Sequence, residues 1–209
     1  MTLQTPQPPP SALRAVLAAL TSESALRQPG AAALRSPAGP LLPSHPLAVH
    51  QLPPGTATVR GLAAAPRTGW RFLIKSGGQV VAAAEVTRST EGHTFAHFAA
   101  GPYLDSTVRA LAQAWQLAQE LPGARQARLL SMPGHYATAL WLHGPEGDPA
   151  DDLLIPLAPA PLGVTAHRAH PARELLALLV RRTGTPSAAH PTAVAAPPGG
   201  APLAAVPAF

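Results

Sequence analysis

The middle of the chain carries the clearest alternation of apolar and polar positions. Between residues 70 and 75, Trp, Phe and Ile recur at every second position, which is the period of a β-strand. Gly77-Gly78 follows, and such a pair tolerates the positive φ angles of a tight hairpin turn. Strands at 80–87 and 93–99 then complete a predicted antiparallel meander of three strands.

The period changes to that of a helix after residue 102. Apolar side chains recur at spacings of three and four residues until Pro122-Gly123 ends the pattern. Asp105 is predicted to be the N-cap of this long amphipathic helix. The stripe predicted to face the core consists of Leu104, Val108, Leu111, Trp115 and Ala118.

Shorter elements follow the long helix. Strands are predicted at 125–132 and 135–143. The apolar run 153–157 contains Pro156, which has no N–H to donate, so this run is predicted to be an edge strand or an extended cap. A last helix is predicted from Pro171, a favourable first helical residue, through Arg182.

These elements predict an α+β fold. Their order is βββ-α-ββ, which indicates a mostly antiparallel sheet of about five strands, one long amphipathic helix on one face and a further C-terminal helix. Because apolar side chains point to both faces of such a sheet, the second face also needs cover. The candidates are the C-terminal helix, a helix in the N-terminal segment, or a second copy of the protein.

The chain divides into three parts by composition. Residues 1–60 form a Pro-rich N-terminal segment with one short helix, and residues 61–182 form the α+β domain. Residues 183–209 are rich in Ala and Pro and contain no charged residue, so we expect a disordered tail.

Prolines restrict regular structure in the N-terminal segment. One helix is predicted at 12–20, with Ser11 as its N-cap, and the stretch 29–54 is predicted to be an extended linker. The apolar stripe of the predicted helix consists of Leu13, Val16, Leu17 and Leu20.

Composition excludes several classes of protein. The chain has no cysteine, which rules out disulfides, thiolate catalysis and Cys-ligated zinc. No run of about 18 apolar residues free of Pro and charge is present, so no membrane span is expected. Residues 1–10 lack the basic start and apolar run of a secretory signal, and we expect a cytoplasmic protein. Arg greatly outnumbers Lys, which together with the abundance of Ala and Pro is typical of a high-GC bacterial genome.

The formal net charge of +5 raises the question of nucleic-acid binding. Within residues 61–182, however, eleven Lys and Arg face nine Asp and Glu. A surface that follows a phosphate backbone usually concentrates several cations on one face. The basic character of this chain is diffuse by comparison.

Nine histidines require that metal binding be considered. His93 and His97 lie on a predicted strand, where four residues span roughly 13 Å, too far for one ion. His167 and His170, with Glu174 beyond them, straddle a helix start, and His170 is predicted to be a capping or solvent-facing residue. We therefore predict neither a metal site nor a cofactor.

No set of residues typical of an enzyme emerges. Ser131 precedes His135 closely, but the G-x-S-x-G turn that exposes a nucleophilic serine is absent. The fragment 75–78 lacks the preceding glycine of a phosphate loop and does not open a helix. The acidic residues between 146 and 152 do not match an EF-hand and are predicted to form a solvated connector.

The first hypothesis on function is therefore a non-enzymatic interaction module, which binds a protein partner or forms a homo-oligomer through its sheet. An alternative is a small-ligand binder or hydrolase with its pocket at the turn Met132–Tyr136. The binding residues predicted for that pocket are Ser131, His135, Tyr136 and Trp141.

A second alternative is nucleic-acid binding on the sheet face. In this hypothesis aromatic side chains stack on bases while arginines reach phosphates. The aromatic candidates are Trp70, Tyr103, Tyr136 and Trp141, and the basic ones are Arg71, Arg125 and Arg128.

Overall fold

The computed structural model describes residues 3–144 and 147–183, and these form one mixed sheet with helices on both faces. The strands in spatial order are β5-β4-β3-β2-β6-β7-β8-β9, and β1 pairs beside β6. Their bounds are β1 Leu3–Gln4, β2 Leu42–Gln51, β3 Arg67–Ser76, β4 Gln79–Ser89, β5 Gly92–Ala99, β6 Arg125–Met132, β7 Ala137–His143, β8 Leu153–Pro156 and β9 His170–Pro171.

Five α-helices and three short 3-10 helices complete the described part of the chain. The α-helices are α1 Pro10–Leu20, α2 Glu23–Leu26, α3 Val59–Ala63, α4 Pro102–Glu120 and α5 Ala172–Thr183. The 3-10 helices are Pro29–Leu34, Pro133–His135 and Pro149–Asp151. The α+β class is thus confirmed, but the sheet of about five strands is wrong, because nine strands are present in these residues.

The predicted meander is present as β3, β4 and β5, which pair antiparallel in sequence order. Gly77 and Gly78 join β3 to β4 with φ angles of 55° and 83°. Two consecutive positive φ angles are what a type I′ hairpin turn requires, and glycine adopts them without steric cost.

The largest departure from the sequence prediction is β2, which replaces most of the expected linker. This strand lies between β3, to which it is antiparallel, and β6, to which it is parallel. Only Ala48 to Gln51 pair with β6. Pro43 and Pro46 lie before that stretch, where no described strand pairs with β2 on its β6 side, so their missing N–H groups leave the β2–β6 ladder intact.

The C-terminal elements are close to their predicted places. Pro171 pairs with Leu153 of β8 as part of β9, so α5 begins one residue later than predicted, at Ala172. β9 pairs only with Leu153 and Leu154. Pro156 therefore lies beyond the residues of β8 that pair with β9, so its missing N–H removes no bond from that ladder.

Both helical stripes predicted to face the core are only partly buried. In α1 the buried side chains are Ala12, Val16 and Ala19, while Leu13 and Leu17 are exposed. Ser11 does not cap α1, which begins at Pro10; its Oγ shares a 2.9 Å hydrogen bond with His93 Nδ1 of β5.

The same rotation of the buried face is seen in α4. Ala110 and Ala114 pack in the core beneath this helix, while Val108 and Trp115 of the predicted stripe are 37% and 40% exposed. Asp105 lies in the first turn rather than at the N-cap, because the helix already begins at Pro102, where proline needs no N–H partner.

Helices cover both faces of the sheet. On the first face, α4 packs on a cluster that includes Leu73, Leu129 and Leu140. On the second face, α1, α2 and the 29–34 helix cover the half around Trp70 and Phe72. α3 and α5 cover the other half, around Leu130 and Trp141. The cover expected for the second face thus comes from the N-terminal and C-terminal helices together.

The N-terminal segment 1–60 contributes β1 and β2 to the sheet of the 61–182 region. The expected disordered tail lies outside the described residues from 184 onward. No helix in the described part of the chain is long and apolar enough to cross a membrane.

Candidate binding groove

The predicted pocket at the 132–136 turn is divided between two small cavities. Ser131 and Tyr136 line one of about 330 Å³, and His135 and Tyr136 line another of about 300 Å³. Tyr136 stands between them with a φ of 49° and a side chain that is 94% exposed. Trp141 lines neither cavity and is buried beneath the second-face helices. The structure thus brings Tyr136 together with Ser131 and with His135, but not all four residues.

The residues considered for nucleic-acid binding are also dispersed. Trp70 and Trp141 are 1% and 2% exposed, so neither indole presents a face on which a base could stack. Tyr103 is exposed at the start of α4. Of the arginines, Arg71 pairs with Glu85 on the first face at 2.5 Å, and Arg125 lies beside Asp152.

The histidines considered as ligands are held by other polar groups or stand apart. His97 is exposed on β5. His167 Nε2 shares a 2.8 Å hydrogen bond with Ser106 Oγ of α4. His170 Nε2 is buried and has no hydrogen-bond partner among the described residues. No group of three metal-ligating side chains is found in residues 3–144 and 147–183.

Asp152 differs from the solvated connector predicted for its loop, because it is fully buried. Its carboxylate accepts hydrogen bonds from Trp141 Nε1 at 2.8 Å, His143 Nδ1 at 2.9 Å and the Gly144 N–H at 2.8 Å. Arg125 Nη1 lies 3.7 Å away. A carboxylate surrounded by donors in this way fixes the end of β7 against β8.

A concave surface on the first face lies between α4 and the β3–β4 hairpin, and we call it the α4 groove. Its volume is about 550 Å³, within the range of small-ligand and peptide sites. Its apolar wall consists of Leu73, Val80, Val108 and Trp115, and its basic residues are His45, Lys75 and Arg109.

Packing of α4 creates this groove. Because the small Ala110 and Ala114 fill the core side of the helix, the larger Val108 and Trp115 are turned toward the hairpin side. Leu73 and Val80 meet them from β3 and β4. The result is an apolar trough that stays open to solvent along the helix.

Charge in the α4 groove is predominantly positive. Lys75 and Arg109 form no ion pair within the described residues, and Asp105 is the one carboxylate among the lining side chains. Burial, and then the positive charge of Lys75, lower the pKa of His45, so this imidazole is neutral at pH 7. The groove therefore combines an apolar wall with two cations that form no ion pair within the described residues.

The buried face of α4 combines several small residues with Leu104 and Leu111, which are both 6% exposed. Of the stripe that the sequence predicts, Leu104, Leu111 and Ala118 are buried, whereas Val108 and Trp115 lie outside the core. The buried small residues are Thr107, Ala110, Ala114 and Ala118. Thr107 Oγ1 donates a 2.9 Å hydrogen bond to the Tyr103 carbonyl, which satisfies the hydroxyl inside the core. This row of small residues is the signal that the sequence offers for the buried face.

Comparison of the chain with protein-family models, with curated proteins and with solved structures gave no significant match.

Proposed function

We propose that the protein is a non-catalytic binding module that holds an acidic, partly apolar segment of a partner protein in the α4 groove. The observation that carries this proposal is the position of Trp115, 40% exposed in the same groove as the cations Lys75 and Arg109. Tryptophan and arginine are among the side chains that most often dominate the energy of protein interfaces.

Charge complementarity selects the occupant. An aspartate or glutamate of the partner would neutralise Lys75 or Arg109, while an apolar side chain next to it would bury Val108 and Trp115. A purely apolar ligand would leave both cations desolvated and unpaired, which costs free energy. The groove therefore favours a segment that alternates acidic and apolar side chains.

The hypothesis of self-association through the sheet now has less to support it. Helices cover both faces in the described part of the chain, and the strands at the two ends of the sheet order are β5 and β9. The proposal of an interaction module rests instead on the α4 groove.

Peptide selection from a random display library tests the proposal without a known partner. Wild-type protein is the bait, and the Trp115→Ser variant serves for counter-selection. We expect enrichment of peptides with Asp or Glu next to a large apolar residue. Because Trp70 and Trp141 are buried, a blue shift of the emission on peptide addition reports on Trp115.

Matched variants identify the binding surface. Lys75→Glu is expected to weaken binding of a selected peptide by about tenfold or more, since it replaces an attraction with a repulsion. Leu17→Ser removes a similarly exposed apolar side chain from α1, on the opposite face, and should leave binding unchanged. Failure to enrich any peptide, or equal binding by Trp115→Ser, would contradict the proposal.

A further inference from the structure

A row of side chains crosses the second face of the sheet where its two groups of helices meet. Strand register places Trp70, Ala48, Arg128 and Trp141 side by side on β3, β2, β6 and β7. Trp70 packs with α1, α2 and the 29–34 helix, and Trp141 packs with α3 and α5. Between the two indoles lie the small Ala48 and the guanidinium of Arg128.

Two arginines lie against these two indoles. The Arg128 guanidinium is 5.1 Å from the ring centroid of Trp141, and that of Arg67 is 5.3 Å from the ring centroid of Trp70. A register shift in the β2–β3 ladder places Arg67 opposite His50, and such bulges re-aim side chains. The His50 ring meets Trp141 edge-on at 5.3 Å. We call Arg67, Arg128 and His50 the arginine seam.

The guanidinium of Arg128 is held in place while its outer nitrogens remain available. Its Nε donates a 2.7 Å hydrogen bond to Gln126 Oε1, and its plane is supported by Trp141. His50 Nδ1 donates to the Ala65 carbonyl at 2.9 Å, which leaves Nε2 available on the other side of the ring. Groups fixed in this way lose little freedom when they bind a ligand.

No carboxylate of the described residues forms an ion pair with Arg67 or Arg128. The nearby buried carboxylate of Asp152 is occupied by Trp141, His143, Gly144 and Arg125. Burial lowers the pKa of Arg128, which the charge of Arg67 lowers further, although Asp152 opposes the shift. The seam thus brings together two cations that form no ion pair within the described residues, although the buried Asp152 acts on Arg128 from a distance.

We propose that the arginine seam binds a phosphate group, held between Arg67 and Arg128 with His50 as a third contact. Two guanidinium groups match the charge of a phosphate dianion and bind its oxygens in a bidentate manner, whereas a carboxylate would neutralise only one of them. The site lies on the opposite face of the sheet from the α4 groove, so the two proposals are independent.

Titration of the wild-type protein with inorganic phosphate, followed by the proton resonances of the His50 ring, tests the proposal directly. Chloride replaces phosphate at equal ionic strength in the reference titration. We expect a saturable change and a higher pKa of His50 in phosphate, because a bound anion favours the imidazolium form. Absence of saturable change at His50 would overturn the proposal.

Variants assign the binding to the seam. Arg67→Gln and Arg128→Gln should each weaken phosphate binding by about tenfold or more. Lys75→Gln, which removes a cation from the α4 groove, should not change it. Arg67 is exposed, so its variant remains informative even if Arg128→Gln impairs folding. Equal phosphate binding by Arg67→Gln and wild type would refute the assignment.

A second arm distinguishes the source of the phosphate group. Phenyl phosphate is compared with inorganic phosphate, and acetate serves as a monoanion control. Tighter binding of phenyl phosphate would support a phosphate monoester as the ligand, and equal binding would support free phosphate. Acetate binding as tight as that of phosphate would overturn the preference for a dianion. Trp115→Ser should leave every one of these affinities unchanged.

Discussion

The two faces of the sheet are covered in different ways. One long helix, α4, crosses the first face, and its small residues Ala110 and Ala114 bring it close to the strands. Two separate groups of helices cover the second face: α1, α2 and the 29–34 helix cover one half, and α3 and α5 cover the other. The first arrangement leaves an apolar groove beside the helix, and the second leaves a polar seam between the groups. The manner of cover therefore decides what kind of surface remains for a ligand.

The largest loss of stability is expected when the buried carboxylate of Asp152 is removed. Asp152→Ala should lower the free energy of unfolding by about 3–5 kcal/mol, because it leaves the Trp141 and His143 N–H groups without their acceptor and Arg125 without its ion-pair partner. Urea unfolding measures the loss. The neighbouring Asp151 forms an exposed pair with Arg173, and Asp151→Ala should cost less than about 1 kcal/mol. Equal losses for the two variants would contradict a special role of Asp152.

The close packing of α4 on the first face of the sheet can be tested independently of Asp152. Ala114→Leu adds three carbon atoms to a fully buried position of α4 and should cost about 1–3 kcal/mol of unfolding free energy. Ala112→Leu makes the same change at an exposed position of α4 and should be nearly neutral. Similar stability of the two variants, measured by urea unfolding, would show that α4 does not rest on its alanines.

The 29–34 helix can pack closely on β5 because residue 30 is a glycine. A Cβ on Gly30 would overlap the Phe98 carbonyl oxygen, so the 29–34 helix touches β5 backbone to backbone. Gly30→Ala should cost about 1–2 kcal/mol, less than a core substitution because this helix can shift at the sheet edge. A Cβ on Gly134 would meet nothing closer than 3.7 Å, and Gly134→Ala is the control. Equal thermal stability of both variants would contradict this account.

The smallest expected effect is a pH dependence at the seam. Burial lowers the pKa of His50, and so do the charges of Arg128, Arg67 and His143, against a hydrogen bond to Ala65 that raises it. Because the folded state binds a proton less readily than the unfolded state, stability falls as the pH drops below about 6.5. His50→Gln should flatten this fall in urea unfolding at about pH 7 and pH 5. An unchanged slope would exclude His50 as its source.

Sequence patterns predict the elements whose signals are local. The alternation at 70–75 and the glycine pair Gly77-Gly78 specify a strand and its turn without reference to the rest of the chain, and both are present. β2 escapes sequence prediction because its prolines are tolerated only through the irregular pairing of its first half, which depends on strands distant in sequence. Local propensity does not contain that information.

The candidate sites are predictable to a smaller extent. Trp115 is apolar and lies at helical spacing, so the sequence pattern predicts that it is buried. Its exposure becomes evident only in the structure, where Ala110 and Ala114 occupy the core side of the helix instead. Arg67 and Arg128 are far apart in the chain and meet through strand register, with Ala48 between Arg128 and Trp70. Such a convergence is a property of topology rather than of a motif.

The position of β2 in the middle of the sheet has a consequence for synthesis on the ribosome. Ala48 to Gln51 find their parallel partners only at Arg128 to Ser131, so β2 must wait until residue 131 has left the exit tunnel. Contacts of such long sequence separation slow folding and keep a sheet edge open in the meantime. The prolines in the first half of β2 discourage that waiting strand from pairing with another chain.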